Sequence, residues 1–295
     1  MKREHFLKLL ASTPFAASAM KLNEFDNITK DLGSSPLMPV LFVGHGNPMN
    51  ALWDNPFTQS LKKLGEDINE IENPKAILMV SAHWLTNGTY VQASPKPQTI
   101  HDFGGFPKEL FDMQYPAVGS PEFANQVTTL LTHAKTTEEW GLDHGAWSIL
   151  KHIYPAADVP VFQLSIDYSQ PMQYHFSLSK QLCILRERGV LIIGSGNIVH
   201  NLRMSFEKFA ISDSKPYDWA VEFDEWVKMR INDRNFTDII AYEKAGKSGS
   251  LAVPTPDHYI PLLYSVALTE PNEKIEHTYE EVSFGGMSMR TIKIG

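Results

Sequence analysis

Apolar positions along the chain fall into two kinds of run. The first kind is short, nearly continuous and rich in β-branched residues: Met38 to Val43, Ala76 to Val80, Val159 to Ile166 and Val190 to Ile193. Runs of that length bounded by turn residues read as buried strands. Thr89 to Ala93 reads as a further strand, and Ser288 to Ile294 alternates like a final one. The second kind repeats every three or four positions, as one helix face does. Phe57, Leu61 and Leu64 mark a helix from Pro56 to Leu64. Ser120-Pro121-Glu122 starts another, with Phe123, Val127, Leu130, Leu131 and Ala134 as its buried stripe. A helix through Ile149 and Ile153 begins just after His144. Gln170 to Arg188 carries Tyr174, Leu178, Leu182 and Leu185 on one face and stops at Gly189. Tyr217 to Ile231 places Trp219, Phe223, Trp226 and Arg230 near one side. Lys244 to Ser250 reads as a polar loop, and a last helix runs from His258 through Tyr264. Strands and helices interleave throughout, which favours an α/β fold with helices on both faces of the sheet.

Residues 1–37 stand apart. Lys2-Arg3, a short apolar stretch at Phe6 to Leu10 and small residues at Ala16 to Ala19 have the outline of an export signal, but Lys8 interrupts the apolar core. The alternative is an extension with no role in the fold. Asn23 to Pro36 reads as linker, and the globular domain spans residues 38–295. A cytoplasmic location is expected, or a periplasmic one if the segment directs export.

Composition narrows the function. The 295 residues are 43% hydrophobic, enough for a sizeable core. The net charge is −8 with no basic cluster, which argues against nucleic acid as a partner. No apolar run approaches the roughly 18 residues of a membrane span. Cys183 is the single cysteine, so neither an intrachain disulfide nor a multi-thiolate metal site can form. It reads as a buried, inert thiol.

The candidate chemistry is histidine. Three strand-like runs end in a turn with a histidine: Gly44-His45-Gly46, Ser81-Ala82-His83-Trp84 and Gly194-Ser195-Gly196 leading to His200. Ligands in open α/β sheets bind beyond the carboxyl ends of the strands, so three such ends can deliver imidazoles into one crevice. His144 and His258 sit in similar turns beside Asp143 and Asp257. Neutral imidazole is the commonest metal ligand and suits zinc and iron alike. His101, in a loop of glycines and aromatics from Thr99 to Pro107, either touches the site or holds the loop. His133 reads as solvated; His152 and His175 read as packing residues. A helical His-x₃-His, a Gly-x-Ser-x-Gly, a P-loop and a dinucleotide fingerprint are all missing from the sequence.

Taken together, Gly44 to Met49, Ser81 to Trp84, Thr99 to Pro107, Leu142 to Trp147, Gly194 to Asn201 and Pro256 to Leu262 resemble the 4,5-DOPA extradiol dioxygenase family, part of the class III extradiol ring-cleaving dioxygenases. The resemblance runs from about Met38 to the C-terminus. It implies a single α/β domain with a mixed central sheet and one divalent metal per chain. His45, His83 and His200 match the family's metal-associated histidines, and His258 a fourth at or beside the metal. His144 matches a histidine next to the substrate, suited to proton transfer; His101 and Phe103 fall in the loop expected to contact substrate. The wider class holds Fe(II) with two histidines and a glutamate, and no glutamate occupies a matching motif here. Extra imidazole favours Zn(II) as occupant, whereas ring cleavage needs a metal that passes electrons, such as Fe(II). The implied partners are a small aromatic diol and O₂. Two other functions use the same pocket: a zinc hydrolase with a bound water as nucleophile, or a non-catalytic binding protein.

Overall fold

The computed structural model describes residues 36–295. The export-signal reading concerns residues outside them. Six strands form the main sheet: β1 (Val40–Gly44), β2 (Ala76–Ser81), β3 (Val161–Gln163), β4 (Val190–Gly196), β5 (Ile275–Tyr279) and β6 (Thr291–Ile294). Their order is β3-β2-β4-β1-β6-β5. The first four run parallel, while β6 is antiparallel to β1 and β5 antiparallel to β6. The sheet is therefore mixed, as the resemblance implies.

Every residue of β1, β2 and β4 is buried, which explains their continuous apolar runs. On one face, Leu41, Val43, Ile77, Met79, Leu191 and Ile193 share a core with two helices, α1 (Pro56–Ile71) and α2 (His144–Ile153). Asn55 caps α1 in a reciprocal box with Thr58, and Pro56 fills the first turn, where no amide hydrogen is needed. The opposite face meets a third helix, α3 (Ile260–Val266). There Ser265 Oγ donates to the Leu41 carbonyl at 2.7 Å. The approach is close: a Cβ at Gly196 would lie 2.1 Å from the His258 carbonyl oxygen. Glycine at 196 thus allows the turn before α3 to rest on the strand end.

Four segments depart from the pattern. The helix expected over 170–188 is divided into Met172–Ser179, a 3-10 turn at Lys180–Leu182 and Cys183–Arg186. The break falls where Ser179 Oγ donates to the Tyr264 carbonyl at 2.6 Å. The stretch 244–250 is not a loop: a 3-10 turn, Tyr242–Ala245, leads through Gly246 at φ 68° into a helix, Lys247–Ala252. Its buried face is Ser248, Gly249 and Ala252, small residues whose polarity hid the element. The strand near residue 90 exists at Tyr90–Gln92 but pairs with Lys135–Thr137, outside the main sheet. The final strand is interrupted, with Met287–Ser288 pairing elsewhere.

His133 is exposed, as expected. His152 and His175 are buried and packed, bonding to the Asn50 carbonyl at 2.8 Å and to Tyr264 Oη at 3.1 Å. Cys183 is half-buried, and burial pushes its thiol up to about 11. Among the described residues no helix is long and apolar enough to cross a membrane.

Candidate active site

The register of the sheet sets the site. Gly44 is level with Gly196, and Ser81 with Ser195, so β1, β4 and β2 end side by side. Two backbone bonds extend that alignment: His45 N–H to the Gly196 carbonyl and Ala82 N–H to the Ser195 carbonyl, both at 3.0 Å. His45 and His83 therefore leave neighbouring strand ends into one chamber. Helix α2 starts at its edge with Asp143 as cap and His144 as first residue. A Cβ at Gly145 would lie 2.5 Å from Ser81 Oγ, so only glycine lets α2 begin this close to β2. His200 is fixed by its N–H to the Ala252 carbonyl at 2.9 Å, and His258 lies at the turn that Gly196 admits.

His45 neighbours His83, His144 and His258 there, and His200 adjoins this group through His258. His45 has ring centroids 5.1 Å from His83, 5.7 Å from His144 and 5.3 Å from His258. His83 and His144 are 3.9 Å apart, and His200 stacks on His258 at 3.4 Å. Within this chamber the side chains form two groups of ligand-spaced donors: His45, His83 and His144, and His200, Asp257 and His258, the donors in each lying within 4.8 Å of one another.

The hydrogen bonds fix which nitrogen is free. Ser195 Oγ donates to the Gly145 carbonyl at 2.5 Å, so it accepts from His45 Nδ1 at 3.0 Å. Asp102 accepts from His83 Nδ1 at 3.1 Å, from His144 Nδ1 at 3.0 Å and from the His144 backbone N–H at 2.9 Å. His258 Nδ1 pairs with Asp257. Each of these four imidazoles thus has Nδ1 turned to an oxygen and Nε2 left for the chamber, the arrangement that orients histidine ligands. The carboxylate that orients His144 is Asp102 and not its sequence neighbour Asp143. Asp143 instead accepts from Ser81 Oγ at 2.6 Å, Gln163 Nε2 at 3.1 Å and Trp140 Nε1 at 3.3 Å, and anchors α2.

The donor set fits a divalent ion. His45 Nε2 and His83 Nε2 face each other at 3.2 Å. With both Nδ1 atoms protonated and the rings neutral, two lone pairs point at one spot, which is repulsive unless a cation or a shared proton lies between them. Imidazole nitrogens about 2.1 Å from one ion at roughly tetrahedral angles are themselves about 3.4 Å apart. The titration behaviour agrees. Burial, then the neighbouring imidazoles, hold His45 and His258 well below the ordinary histidine value. Burial brings His200 to about 4 and also lowers His144, against the pull of Asp102. His83 is the exception: burial pushes it down, but the Asp102 bond and the charges of Asp143, Asp102 and Asp257 raise it. Asp102 is itself partly buried, which disfavours its charge, yet hydrogen bonds from His144 and His83 hold it well below the carboxylate range.

Aromatic rings wall one side. Phe103 meets His144 edge-on at 5.5 Å and touches Phe106, Phe111 and Trp147. His101 stands behind Phe103, bonded through Nε2 to the Met113 carbonyl at 2.9 Å. It holds the loop, the second of the two roles expected for it. Ser195 and Asp102 escaped the sequence reading. Only the neighbourhood of Asp102 to His101 in a glycine-rich loop gave any signal.

A family model described as the catalytic LigB subunit of aromatic ring-opening dioxygenase matches residues 35–291. The chain is 44% identical to a 4,5-DOPA dioxygenase extradiol of Escherichia coli K12 over 89% of its length and 96% of the relative's. It is 37% identical to the protein of that name from Beta vulgaris, over 85% and 94%. A crystal structure of an uncharacterized protein from Escherichia coli K12 superposes with a TM-score of 0.75 and 40% identity, covering 88% of this chain and all of that one.

Proposed function

The chain belongs to the LigB family of aromatic ring-opening dioxygenases, oxygen-incorporating oxidoreductases, and we propose from that membership and the site geometry that it opens the ring of a small catechol such as DOPA beside its diol, inserting both atoms of O₂. The observation that carries the reading is the facing pair of Nε2 lone pairs on His45 and His83, with His144 alongside. His45, His83 and His200 would hold one divalent metal, with His258 at or beside it. A redox-active ion such as Fe(II) supplies, when bound, the electron transfer to O₂ that the reaction needs; Zn(II) suits the same imidazoles without that capacity.

The protein's own groups do the remainder. His144 is kept neutral by burial and presents Nε2 to the chamber, so it can take a proton from a catechol hydroxyl and hold it there. Asp102 then lies against the resulting imidazolium. Phe103 offers an aromatic face beside His144, where a catechol ring can lie with its diol toward the imidazoles. His101 supports that wall through Met113.

Anaerobic loading with Fe(II), followed by oxygen uptake with a panel of catechols and monophenols, tests this reading. One O₂ consumed per catechol, with none for monophenols, is expected. No uptake with any catechol, together with ester or amide cleavage by the zinc form, would assign the pocket to a hydrolase.

A further inference from the structure

Among the described residues Asp102 is the carboxylate that bridges two imidazoles of the chamber, His83 and His144, and its side chain keeps 18% of its exposure. Its oxygens are used differently. Oδ2 accepts only from His83 Nδ1, at 3.1 Å. Oδ1 accepts twice from His144, from the ring at 3.0 Å and from the backbone N–H at 2.9 Å. We propose that Asp102 is a positioning residue that sets the tautomer of both His83 and His144, and so keeps the slot between His45 and His83 open to a cation. The clause concerning the cation rests on the metal reading above; the tautomer does not.

The mechanism follows from counting hydrogens. An ionised carboxylate only accepts, so both Nδ1 atoms must carry hydrogen, and in the neutral imidazoles both Nε2 atoms are then bare. An asparagine at 102 has the same shape but only one accepting oxygen. The His144 backbone N–H cannot change role and requires an acceptor at the Oδ1 position. The amide oxygen therefore stays there, and the NH₂ turns to His83 Nδ1. His83 must then accept at Nδ1 and carry its hydrogen on Nε2. The two Nε2 atoms are 3.2 Å apart, so that hydrogen bonds the imidazoles to each other across the slot. Alanine at 102 has no such effect, because water can accept from both Nδ1–H groups.

The test uses full-length wild type, Asp102→Asn and Asp102→Ala, each stripped of metal. Zn(II) affinity is measured by competition with a chromophoric chelator, and ¹⁵N spectra of labelled histidine report which ring nitrogen is protonated. Asp102→Asn is expected to bind Zn(II) about 10–100-fold more weakly than wild type, as loss of a ligand's orienting partner does. Its His83 hydrogen should move from Nδ1 to Nε2, and Asp102→Ala should bind better than Asp102→Asn. A residue that merely anchored its loop would give the reverse order, since asparagine keeps the shape and alanine does not. Equal affinity of Asp102→Asn and wild type, an Nδ1-protonated His83 in that variant, or alanine the weaker binder overturns the proposal. If wild type itself bound no Zn(II), the metal reading would fail, while the spectra would still decide the tautomer.

Discussion

At the scale of single residues, the proposed reading gives His45 and His144 different tasks, holding a metal and moving a proton, although both lie at ligand spacing from His83. His45 is fully enclosed, its Nδ1 committed to Ser195, and its Nε2 can serve only the centre. His144 stands at the start of a helix beside Phe103, nearer to where a substrate would lie. His45→Ala is therefore expected to lose bound metal. His144→Ala is expected to retain it and to turn over roughly 10²–10⁴-fold more slowly, the usual contribution of a positioned acid or base. Elemental analysis beside oxygen uptake checks both; metal lost from His144→Ala but kept by His45→Ala would reverse the roles. The histidines were legible because each follows a strand or starts a helix amid glycine, serine or aspartate. Their orienting partners were not. Ser195 reaches His45 across 150 positions and Asp102 reaches His144 across 42, contacts that only the folded chain defines.

At the scale of elements, the seat of α3 on β4 governs His258. With a Cβ at 196 directed 2.1 Å from the His258 carbonyl, Gly196→Ala must displace backbone rather than a side-chain tip. Overpacking of that kind costs about 1–3 kcal/mol. A lowered melting temperature is expected together with weaker metal binding, and a variant indistinguishable from wild type in both would show that α3 is not held there. The elements themselves were legible where burial is continuous or one-sided: β1, β2, β4, α1 and α2 lie where the apolar spacing puts them. The helix over residues 247–252 was not, because it packs through Ser248 and Gly249 rather than through large apolar side chains. Strand β5 was missed as well, being an edge strand with half-exposed residues throughout most of its length.

At the scale of the molecule, buried neutral histidine sets the response to acid. His175 is fully buried, and burial brings it to about 4. In the unfolded chain it titrates near 6.5. The unfolded state thus takes up the proton first, so this contribution to stability is complete above about pH 6.5 and is lost as pH falls toward 4. The shift of roughly 2.5 units corresponds to about 3 kcal/mol. Denaturant midpoints of the metal-free protein should fall over that window, and less steeply in His175→Asn; stability that is flat or rising on acidification would contradict this. Residues 1–37 carry no sustained apolar stripe, and their removal is expected to leave melting temperature and metal content nearly unchanged. A large loss of either would show that they dock on the domain.

The position of β1 between β4 and β6 has a consequence for biosynthesis. Its residues are among the first of the domain to be translated, yet its sheet partners are residues 190–196 and 291–294. The imidazoles beyond it come from positions 45, 83, 144, 200 and 258, so no early fragment contains the cage. A ribosome-bound chain has its first strand waiting unpaired on one side until residues 291–294 emerge. The imidazoles can therefore meet only after residue 258 has been added, and a transcript stopped before residue 291 yields a polypeptide that carries every histidine of the site but leaves β1 with one bare edge.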